Sequence, residues 1–509
     1  MITRINQAHP AVVCGLLAVL MAAVFVPMSF LRLVDGDEGT YLLVSRLAAE
    51  GQLPYHDFFY PQMFLLPYVY GAWMKLVGYS WYGARLLSAL FSVVLGLLVA
   101  WQAARLTGRR AAGFLAGVLF TFSSLAFGWY PLIKTFVLPT LLLFAAYAVL
   151  SSGSRLKWVA SGLLLGLSVA CRVYVIAVVP AFVLELYLNE RELRPRLMQA
   201  ARFALGLLMG LLPAELFFLI DPGAFVFNVV GLQTIRTDYT IMSWWDQKTL
   251  APMQLVGMKY AEGTTSIQFL LLFLVNFCAW VSSAVARERL PLASWIAILL
   301  MLASLVPTPI YTQYFCMPLP FLLVNAVVFV AALAREASGL RFRHVLATLV
   351  AVYVALLPPY DFYRYTVSGE QVPGIFVRGD AVNWRLSTIR AVGQAIDREL
   401  RQDRPFVISF WPGYLVETRA AILPGMENHF ALAYANLVSA TEVVRFKLMS
   451  YSELGWHFQR HTVDVVVLGN WTESRAWVRE NAVRSGYTLK ERVAGAEIYT
   501  LPQKSAAAP

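Results

Sequence analysis

Long apolar runs separated by short polar connections fill the first 359 residues of the chain. A run of roughly 18 or more apolar residues is long enough to cross a bilayer as a helix. The pattern predicts about eleven spans, at 11–31, 81–104, 111–128, 131–150, 158–170, 172–188, 203–220, 266–284, 290–306, 314–334 and 345–359. Only 14% of the residues are charged, whereas a soluble protein has about a quarter. We therefore expect an α-helical polytopic membrane protein with a membrane domain at residues 1–359.

Two of the polar connections are long, at residues 32–80 and 221–265. The first contains an amphipathic stretch, Thr40–Glu50, followed by aromatic and apolar residues as far as Val77. The stretch that ends at Val77 is too short and interrupted to span, so we expect a helix lying in the membrane interface. In the second connection, Trp244 and Trp245 suit an aromatic belt at an interface.

The distribution of basic residues predicts the orientation of the spans. Fifteen Arg and Lys residues fall in the six short connections 1–10, 105–110, 151–157, 189–202, 285–289 and 335–344, and the opposite side is poorer in them. Basic connections stay in the cytoplasm, so the N-terminus is predicted inside and both long loops outside. The net charge of +11 then faces lipid headgroups and implies no nucleic acid.

The tail at residues 360–503 has a different pattern, in which helix-like and strand-like periodicities alternate. An odd number of spans would place this tail outside the cytoplasm. We expect a small extracytoplasmic α/β domain there, followed by a disordered end at 504–509. The predicted elements are helices at Trp384–Leu400 and Thr472–Arg484, the second capped by Thr472, and strands at Phe406–Phe410, Val463–Leu468, Tyr487–Arg492 and Glu497–Leu501.

Candidate chemistry begins directly after the first span, where Asp35, Asp37 and Glu38 place three carboxylates within four positions. Negative charge beside lipid is costly unless water, a cation or a reacting group uses it. A carboxylate held there can act as a general base towards a hydroxyl. The alternative is that Asp35 or Asp37 caps a helix that starts near Glu38. The two roles are compatible, because a cap also holds a carboxylate still.

A sugar transfer from a sugar phosphate needs one base and also cations for the leaving phosphate. Lys134 and Arg172 are two such cations, and both lie in apolar surroundings at the predicted outer edge. Each cation could instead extend its charged end to the interface. Glu215, in the seventh predicted span, could pair with one of them.

Two stretches resemble a known family of membrane enzymes. Asp37-Glu38 with Tyr41, followed by Gly51-x-x-Pro54-Tyr55-x-Asp57-Phe58-x-x-Pro61, resembles the first outer loop of GT-C glycosyltransferases. The similar branch contains protein O-mannosyltransferases and lipid A aminoarabinose transferases. The segment Tyr311–Pro320, which includes Gln313 and Tyr314, resembles the entrance to a late span of this family. Most of the chain is covered by this resemblance.

The resemblance implies a GT-C-like core and an inverting transfer of a hexosyl or pentosyl group from an undecaprenyl- or other polyprenyl-phosphate donor. It implies Asp37 as the base. From the residues themselves we predict that Glu38 orients Asp37 or the acceptor, and that Arg172 and Lys134 bind the donor phosphate. The acceptor would be a hydroxyl of a glycan, lipid or protein, reached from a bacterial cytoplasmic (inner) membrane. Further candidate substrate-binding residues are Asp35, Tyr41, Tyr55, Asp57, Gln313, Tyr314, Trp411 and Tyr414.

The chain departs from the family pattern where many members carry a charged residue or histidine before a proline pair. Here the residues are Tyr60-Pro61-Gln62, so we predict no metal and no certain cofactor, and metal dependence stays open. Two other functions compete: a transporter or flippase of a lipid-linked sugar, and a non-catalytic membrane scaffold. A transporter favours polar residues near the bilayer midplane, whereas those of this chain gather at the outer edge.

Overall fold

A computed structural model describes residues 2–190, 192–236, 243–258, 263–336, 340–370, 372, 380–401, 405–472 and 475–502. The predicted disordered end at 504–509 lies outside this range. The chain divides into two compact units. The helical unit comprises residues 1–30, 85–216 and 241–366, and the mixed unit comprises residues 31–84, 217–240 and 367–509. The whole of the first long loop and part of the second therefore belong to the same unit as the tail.

All the regular secondary structure in the described residues of the helical unit is helical. Its α-helices, including those that begin or end in the mixed unit, are Ile2–Gln7, Pro10–Leu31, Trp81–Thr107, Arg110–Thr121, Ser124–Trp129, Val137–Val149, Lys157–Cys171, Val179–Asn189, Leu193–Ile220, Trp244–Leu255, Thr265–Val285, Leu292–Ser304, Leu319–Glu336, Leu340–Ala351 and Pro358–Tyr363. Short 3₁₀ turns at Val173–Val178 and Thr312–Cys316 and π-turns at Val352–Leu356 and Arg364–Ser368 complete it.

A helical segment overlaps each predicted span. Within the described residues, six helices are long and apolar enough to cross a membrane: Pro10–Leu31, Trp81–Thr107, Leu193–Ile220, Thr265–Val285, Leu319–Glu336 and His344–Ser368. Other apolar helices are shorter, so the number of spans stays a prediction. In the second long loop, for which the pattern predicted no regular element, helices form at Pro222–Val226, Leu232–Ile235 and Trp244–Leu255.

Two helices of the helical unit pack with almost no space between their backbones. Gly162 and Gly166 lie on one of them, and Gly206 and Gly210 lie on the other. A Cβ atom added at Gly162 would lie 2.1 Å from the carbonyl oxygen of Phe203. Small residues four positions apart allow this close approach, which is a common way for helices to associate in membranes.

A buried ion pair holds together the end of the helical unit. The Arg364 Nε atom lies 2.9 Å from a carboxylate oxygen of Asp361, and the two side chains are 1% and 0% exposed. The Ser124 hydroxyl donates to the other Asp361 oxygen at 2.6 Å, and the Thr264 hydroxyl donates there as well. Because each buried charge has several partners, the network ties distant helices to one another.

The mixed unit contains the sheet that the tail pattern predicts. Its strands are β1 (Phe406–Ser409), β2 (Ala421–Ile422), β3 (Val465–Leu468), β4 (Thr488–Val493) and β5 (Ala496–Thr500). They lie in the order β2-β1-β3-β5-β4. Strand β1 is parallel to β2 and β3, whereas β5 is antiparallel to β3 and β4. The mixed pairing follows from the connections, since a tight turn joins β4 to β5 and longer segments join the others.

The helices of the mixed unit include those predicted in the first loop and in the tail, and several that the pattern did not predict. They are Gly36–Ala49, Leu65–Val77, Leu386–Glu399, Ala431–Ala435, Ala440–Arg445, Tyr451–Gln459 and Arg475–Arg484, with Pro222–Val226 and Leu232–Ile235 from the second loop and 3₁₀ turns at Asp380–Trp384 and Pro412–Leu415. Thr472 was predicted to cap the last helix. Its hydroxyl hydrogen-bonds to the backbone of Gly469, and the described part of the helix is Arg475–Arg484. The cap itself stays a prediction.

Candidate functional site

The three carboxylates after the first span lie at the start of Gly36–Ala49, which we call the acidic helix. Asp35 is its N-cap, and its Oδ1 atom accepts the Asp37 N–H at 3.0 Å. The Asp35 N–H in turn donates to Glu38 Oε2 at 3.0 Å. This reciprocal pair is a capping box, which satisfies backbone donors that have no partner inside the helix. Asp35 is therefore the helix cap, as the alternative interpretation predicted.

The capping box separates the three acids by environment. Asp35 and Glu38 are 3% and 0% exposed, and both carboxylates are used in the cap. The Asp37 side chain is 39% exposed, so its carboxylate remains accessible to a ligand. A helix N-terminus stabilises a negative charge at this position through its aligned backbone dipoles.

A residue from the tail lies directly against this carboxylate. The Nε2 atom of His429 is 3.5 Å from Asp37 Oδ1, and the His429 side chain is 2% exposed. The other ring nitrogen, Nδ1, lies 2.9 Å from the hydroxyl oxygen of Thr40, one turn further along the acidic helix. One imidazole thus contacts two successive turns of the helix that carries Asp37.

The tail also packs against the backbone of the acidic helix. The Trp411 indole N–H donates to the Gly36 carbonyl at 2.7 Å. A Cβ atom at Gly39 would lie 2.7 Å from both Cα and N of Gly413. At Gly36 it would lie 2.2 Å from the indole nitrogen of Trp471. Only glycine at positions 36 and 39 allows these close contacts. The start of the acidic helix is therefore held between the segments that contain Trp411 and Trp471.

The predicted residues Trp411 and Tyr414 both lie at this contact or next to it. Trp411 is fully buried and stacks on Trp81, with ring centroids 6.0 Å apart. Tyr414 contacts Trp411 edge-on at 4.9 Å, and its hydroxyl accepts the Asn470 N–H at 3.0 Å. Burial raises the pKa of Tyr414, so it stays protonated. The two side chains support the loop, and acceptor binding by them stays a prediction.

The remaining candidates in the first loop make local contacts. Tyr41 is buried and meets the Tyr60 ring edge-on at 6.4 Å. The Tyr55 hydroxyl donates to the Gln62 carbonyl at 2.6 Å, and burial raises the pKa of Tyr55. Asp57 accepts the Leu53 N–H at 2.7 Å and lies 2.7 Å from His56 Nδ1.

The pKa of Asp57 reflects these contacts. Partial burial opposes its ionisation, but the hydrogen bonds from Leu53 and His56 outweigh burial and lower the pKa. Asp57 is therefore an ionised residue that stabilises its own turn. Substrate binding by Tyr41, Tyr55 or Asp57 stays a prediction.

Glu427 is a second acid that sequence reasoning missed. It is 4% exposed, and the Gly425 N–H donates to its carboxylate at 2.9 and 3.1 Å. Burial raises the pKa of Glu427 to about 7, although the backbone hydrogen bond opposes this rise. His429 was missed as well. The only signal in the sequence was a cluster of titratable residues between apolar segments, which carries no periodicity.

The helical unit buries both predicted cations. Arg172 is 8% exposed, and its guanidinium carbon lies 4.8, 4.7 and 5.0 Å from the ring centroids of Phe136, Tyr174 and Tyr314. Its Nη1 donates to the carbonyl and hydroxyl oxygens of Thr135. Its Nε has no hydrogen-bond partner among the described residues. A buried guanidinium with an unused donor is an unusual arrangement that suits an anion.

Lys134 and Gln313 lie in the same unit. Lys134 is 3% exposed, and its Nζ lies 5.3 Å from the Trp129 ring centroid and 5.7 Å from that of Phe136. It is buried rather than extended into solvent. Gln313 is also buried, and its Oε1 has no hydrogen-bond partner among the described residues. Glu215 is exposed, and its pairing with one of these cations stays a prediction.

Among the described residues, no group of three or more His, Cys, Asp and Glu side chains is arranged to hold a metal ion. The prediction of no metal stays a prediction.

The fold is similar to solved structures, although comparison by sequence finds no match. No protein-family model and no curated protein matches the chain. The chain is similar to the crystal structure of ArnT from Cupriavidus metallidurans bound to undecaprenyl phosphate, with 14% identity, a TM-score of 0.68 and coverage of 97% of this chain and 99% of that one. It is also similar to ArnT from Cupriavidus metallidurans in the apo state, with 15% identity, a TM-score of 0.65 and coverage of 95% and 97%.

ArnT is a lipid A aminoarabinose transferase of the GT-C type, from the branch that the first-loop motif resembles. The chain therefore has an ArnT-like fold over nearly its whole length, as a mostly helical multi-span protein with a small mixed sheet near its C-terminus. Identities of 14 and 15% establish similarity of fold. Such identities do not establish the reaction, which has to be inferred from the residues of the site.

Proposed function

We propose that this chain is an integral membrane glycosyltransferase. It moves a sugar from a polyprenyl-phosphate donor to an acceptor hydroxyl outside the cytoplasm, with inversion at the sugar carbon. The observation that carries the proposal is Arg172, a buried guanidinium with an unused Nε donor in an ArnT-like fold. The ArnT structure with that fold holds undecaprenyl phosphate, which is a lipid phosphate of the required chemistry.

Arg172 and Lys134 bind the donor phosphate in this proposal. The aromatic rings around Arg172 stabilise its charge while no anion is bound, through cation–π contacts. A phosphate oxygen then accepts the hydrogen bond that Nε has not used. During transfer, the bond between the sugar carbon and the phosphate oxygen breaks, and the two cations stabilise the negative charge that remains on the lipid phosphate.

Asp37 is the general base. The acceptor oxygen forms the new bond to the sugar carbon, and its proton passes to the Asp37 carboxylate. Asp37 suits this role better than its neighbours, because Asp35 and Glu38 are buried in the cap while the Asp37 side chain is 39% exposed. The capping box supports the base indirectly, since it fixes the helix turn on which Asp37 lies.

The acceptor, a glycan, lipid or protein hydroxyl, reaches the site from outside a bacterial cytoplasmic membrane, on the side predicted for residues 360–503. Trp411 and Tyr414 belong to the part of the tail that packs on the acidic helix. Through this contact the tail supports the start of the helix and helps to bind the acceptor. The sugar is a hexose or a pentose.

The proposal is tested with purified protein in lipid nanodiscs, by following transfer from a panel of undecaprenyl-phosphate sugars to cell-envelope acceptors. Asp37→Asn keeps the size of the side chain and removes its basicity. It is expected to lower kcat by roughly 10²–10⁴-fold and to leave the donor Kd unchanged. Asp397→Asn, at an acid of the Leu386–Glu399 helix, is the matched control and should behave as wild type.

Near-normal turnover of a folded Asp37→Asn protein would remove Asp37 from the mechanism and move the assignment to Asp35. Loss of the folded protein would instead assign Asp37 a structural role. Binding of undecaprenyl phosphate without any transfer from the panel would favour a transporter of lipid-linked sugars.

A further inference from the structure

We propose that His429 is a positioning residue for Asp37, a role that rests on the proposed function of Asp37 as the base. The imidazole holds one carboxylate oxygen of Asp37 through Nε2 and is itself held by Thr40 through Nδ1. The oriented carboxylate then accepts the proton of the acceptor hydroxyl. His429 lies 392 positions after Asp37 in the chain, so this pairing exists only in the folded mixed unit.

The contacts of His429 define its orientation. Its Nε2 atom lies 3.5 Å from Asp37 Oδ1, which is within the range of an ion pair. Its Nδ1 atom lies 2.9 Å from Thr40 Oγ1, a hydrogen-bonding distance. Asp37 and Thr40 are three residues apart on one helix and therefore project from the same face. An imidazole that contacts both has little freedom to rotate.

Packing around the ring restricts it further. The Phe430 and Trp471 rings lie with centroids 4.1 and 4.8 Å from the imidazole. The His429 side chain is 2% exposed, whereas the Asp37 side chain is 39% exposed. The pair thus joins a fixed, buried ring to an accessible carboxylate. This is the arrangement expected when one group orients another that meets a substrate.

The protonation states of the ring give Nε2 the role of donor. A neutral imidazole has one N–H and one acceptor nitrogen. If the Thr40 hydroxyl donates to Nδ1, the proton lies on Nε2, the nitrogen that is 3.5 Å from Asp37 Oδ1. If the ring is doubly protonated, both nitrogens donate and Asp37 receives a charged partner. The remaining tautomer would place a lone pair against the carboxylate, and their repulsion disfavours it.

Orientation of a base matters because proton transfer requires a hydrogen-bond distance to the substrate proton. A misplacement of about 1 Å can lower a rate by around 10²-fold. An exposed aspartate without a lateral contact would occupy several rotamers. With His429 in place, the carboxylate is fixed before the acceptor arrives, and the effect falls on kcat rather than on donor binding.

Two substitutions at His429 distinguish a role in positioning Asp37 from a role in packing. His429→Gln places an amide N–H near the position of Nε2 and keeps the contact with Asp37. His429→Phe keeps the aromatic volume between Phe430 and Trp471 and removes both ring nitrogens. In the nanodisc assay we expect His429→Phe to lower kcat by about 10-fold or more with an unchanged donor KM, and His429→Gln to stay within about threefold of wild type.

If His429 were purely structural, His429→Gln would lower kcat more than His429→Phe does. Phe fills the site, whereas Gln leaves a polar group against two rings. Normal kcat in His429→Phe would therefore overturn the proposal. Equal loss in both variants, with an unfolded protein by size-exclusion chromatography, would likewise assign His429 to packing. The folded state of each variant is checked before turnover is compared.

A second measurement does not depend on transferase activity and separates failure of this inference from failure of the proposed function. The chain has six histidines, and His429→Gln identifies the ring resonances of His429 in histidine-labelled protein. In Asp37→Asn, these resonances should shift while those of His457, a histidine elsewhere in the mixed unit, stay unchanged. Unchanged His429 resonances would overturn the pairing even if Asp37 proves to be the base.

Discussion

The buried acid Glu427 should make the stability of the mixed unit depend on pH. Its pKa is about 7 in the folded protein, against an ordinary value of 4.5. Between these values the folded state binds a proton that the unfolded state releases. The stabilisation is therefore fully present below about pH 4.5 and is lost as the pH rises through 7. A difference of ~2.5 pKa units corresponds to ~3 kcal/mol.

Glu427→Gln removes this dependence. The glutamine side chain keeps an oxygen that can accept the Gly425 N–H, and it carries no charge to bury. At pH 8 the variant should be more stable than wild type by up to ~3 kcal/mol, and at pH 5 the two should be nearly equal. A mixed unit of this size would show the difference at pH 8 as several degrees in Tm.

The assay is thermal unfolding of the purified protein in nanodiscs, followed with intrinsic tryptophan fluorescence between pH 5 and pH 8.5. Glu480→Gln is the matched control, because Glu480 is exposed and pairs with Arg484 on the same helix. The Tm of this control should change with pH in the same way as that of wild type. If the Tm of Glu427→Gln also changes with pH as that of wild type does, the reasoning is refuted. The Glu427 carboxyl would then ionise in the folded protein at no cost in stability.

Three further predictions concern other contacts. Arg172→Ala should weaken binding of undecaprenyl phosphate about ten- to a hundredfold by calorimetry, whereas Arg172→Lys should recover part of it; unchanged affinity would make Arg172 structural. Gly39→Ala should lower Tm, because its Cβ would lie 2.7 Å from the Gly413 backbone. Gly455→Ala should raise Tm slightly, since it has free space and alanine favours helix; the same sign for both would contradict this. Asp361→Asn should destabilise the helical unit by ~3–5 kcal/mol in thermal unfolding, because Arg364 stays buried without its charge partner, and a loss below ~1 kcal/mol would argue against that pair.

The sequence by itself determined the features that depend on neighbouring residues. Apolar runs predicted where helices form, because a backbone in lipid must satisfy its hydrogen bonds within the helix. The acids after the first span predicted a helix start, and Asp35 with Glu38 three positions later has the spacing of a capping box. The strands around Phe406 and Val465 followed from short apolar stretches bounded by polar residues.

Irregular segments were harder to predict. In the second long loop the sequence pattern predicted no helix or strand, yet helices form at Pro222–Val226 and Trp244–Leu255. The two-residue strand β2 (Ala421–Ile422) is too short to have a periodic pattern and exists because β1 offers it a partner. Propensity is a weak signal in such segments, and tertiary contacts override it.

Only the tertiary structure decided how the candidate groups are arranged. It assigned the cap to Asp35 and left the Asp37 side chain accessible. It also placed His429 against Asp37 and buried Glu427 far from its ordinary pKa. Such contacts join residues hundreds of positions apart, and no local period encodes them. Burial and charge pairing depend on what surrounds a side chain, which is set only when the whole chain has folded.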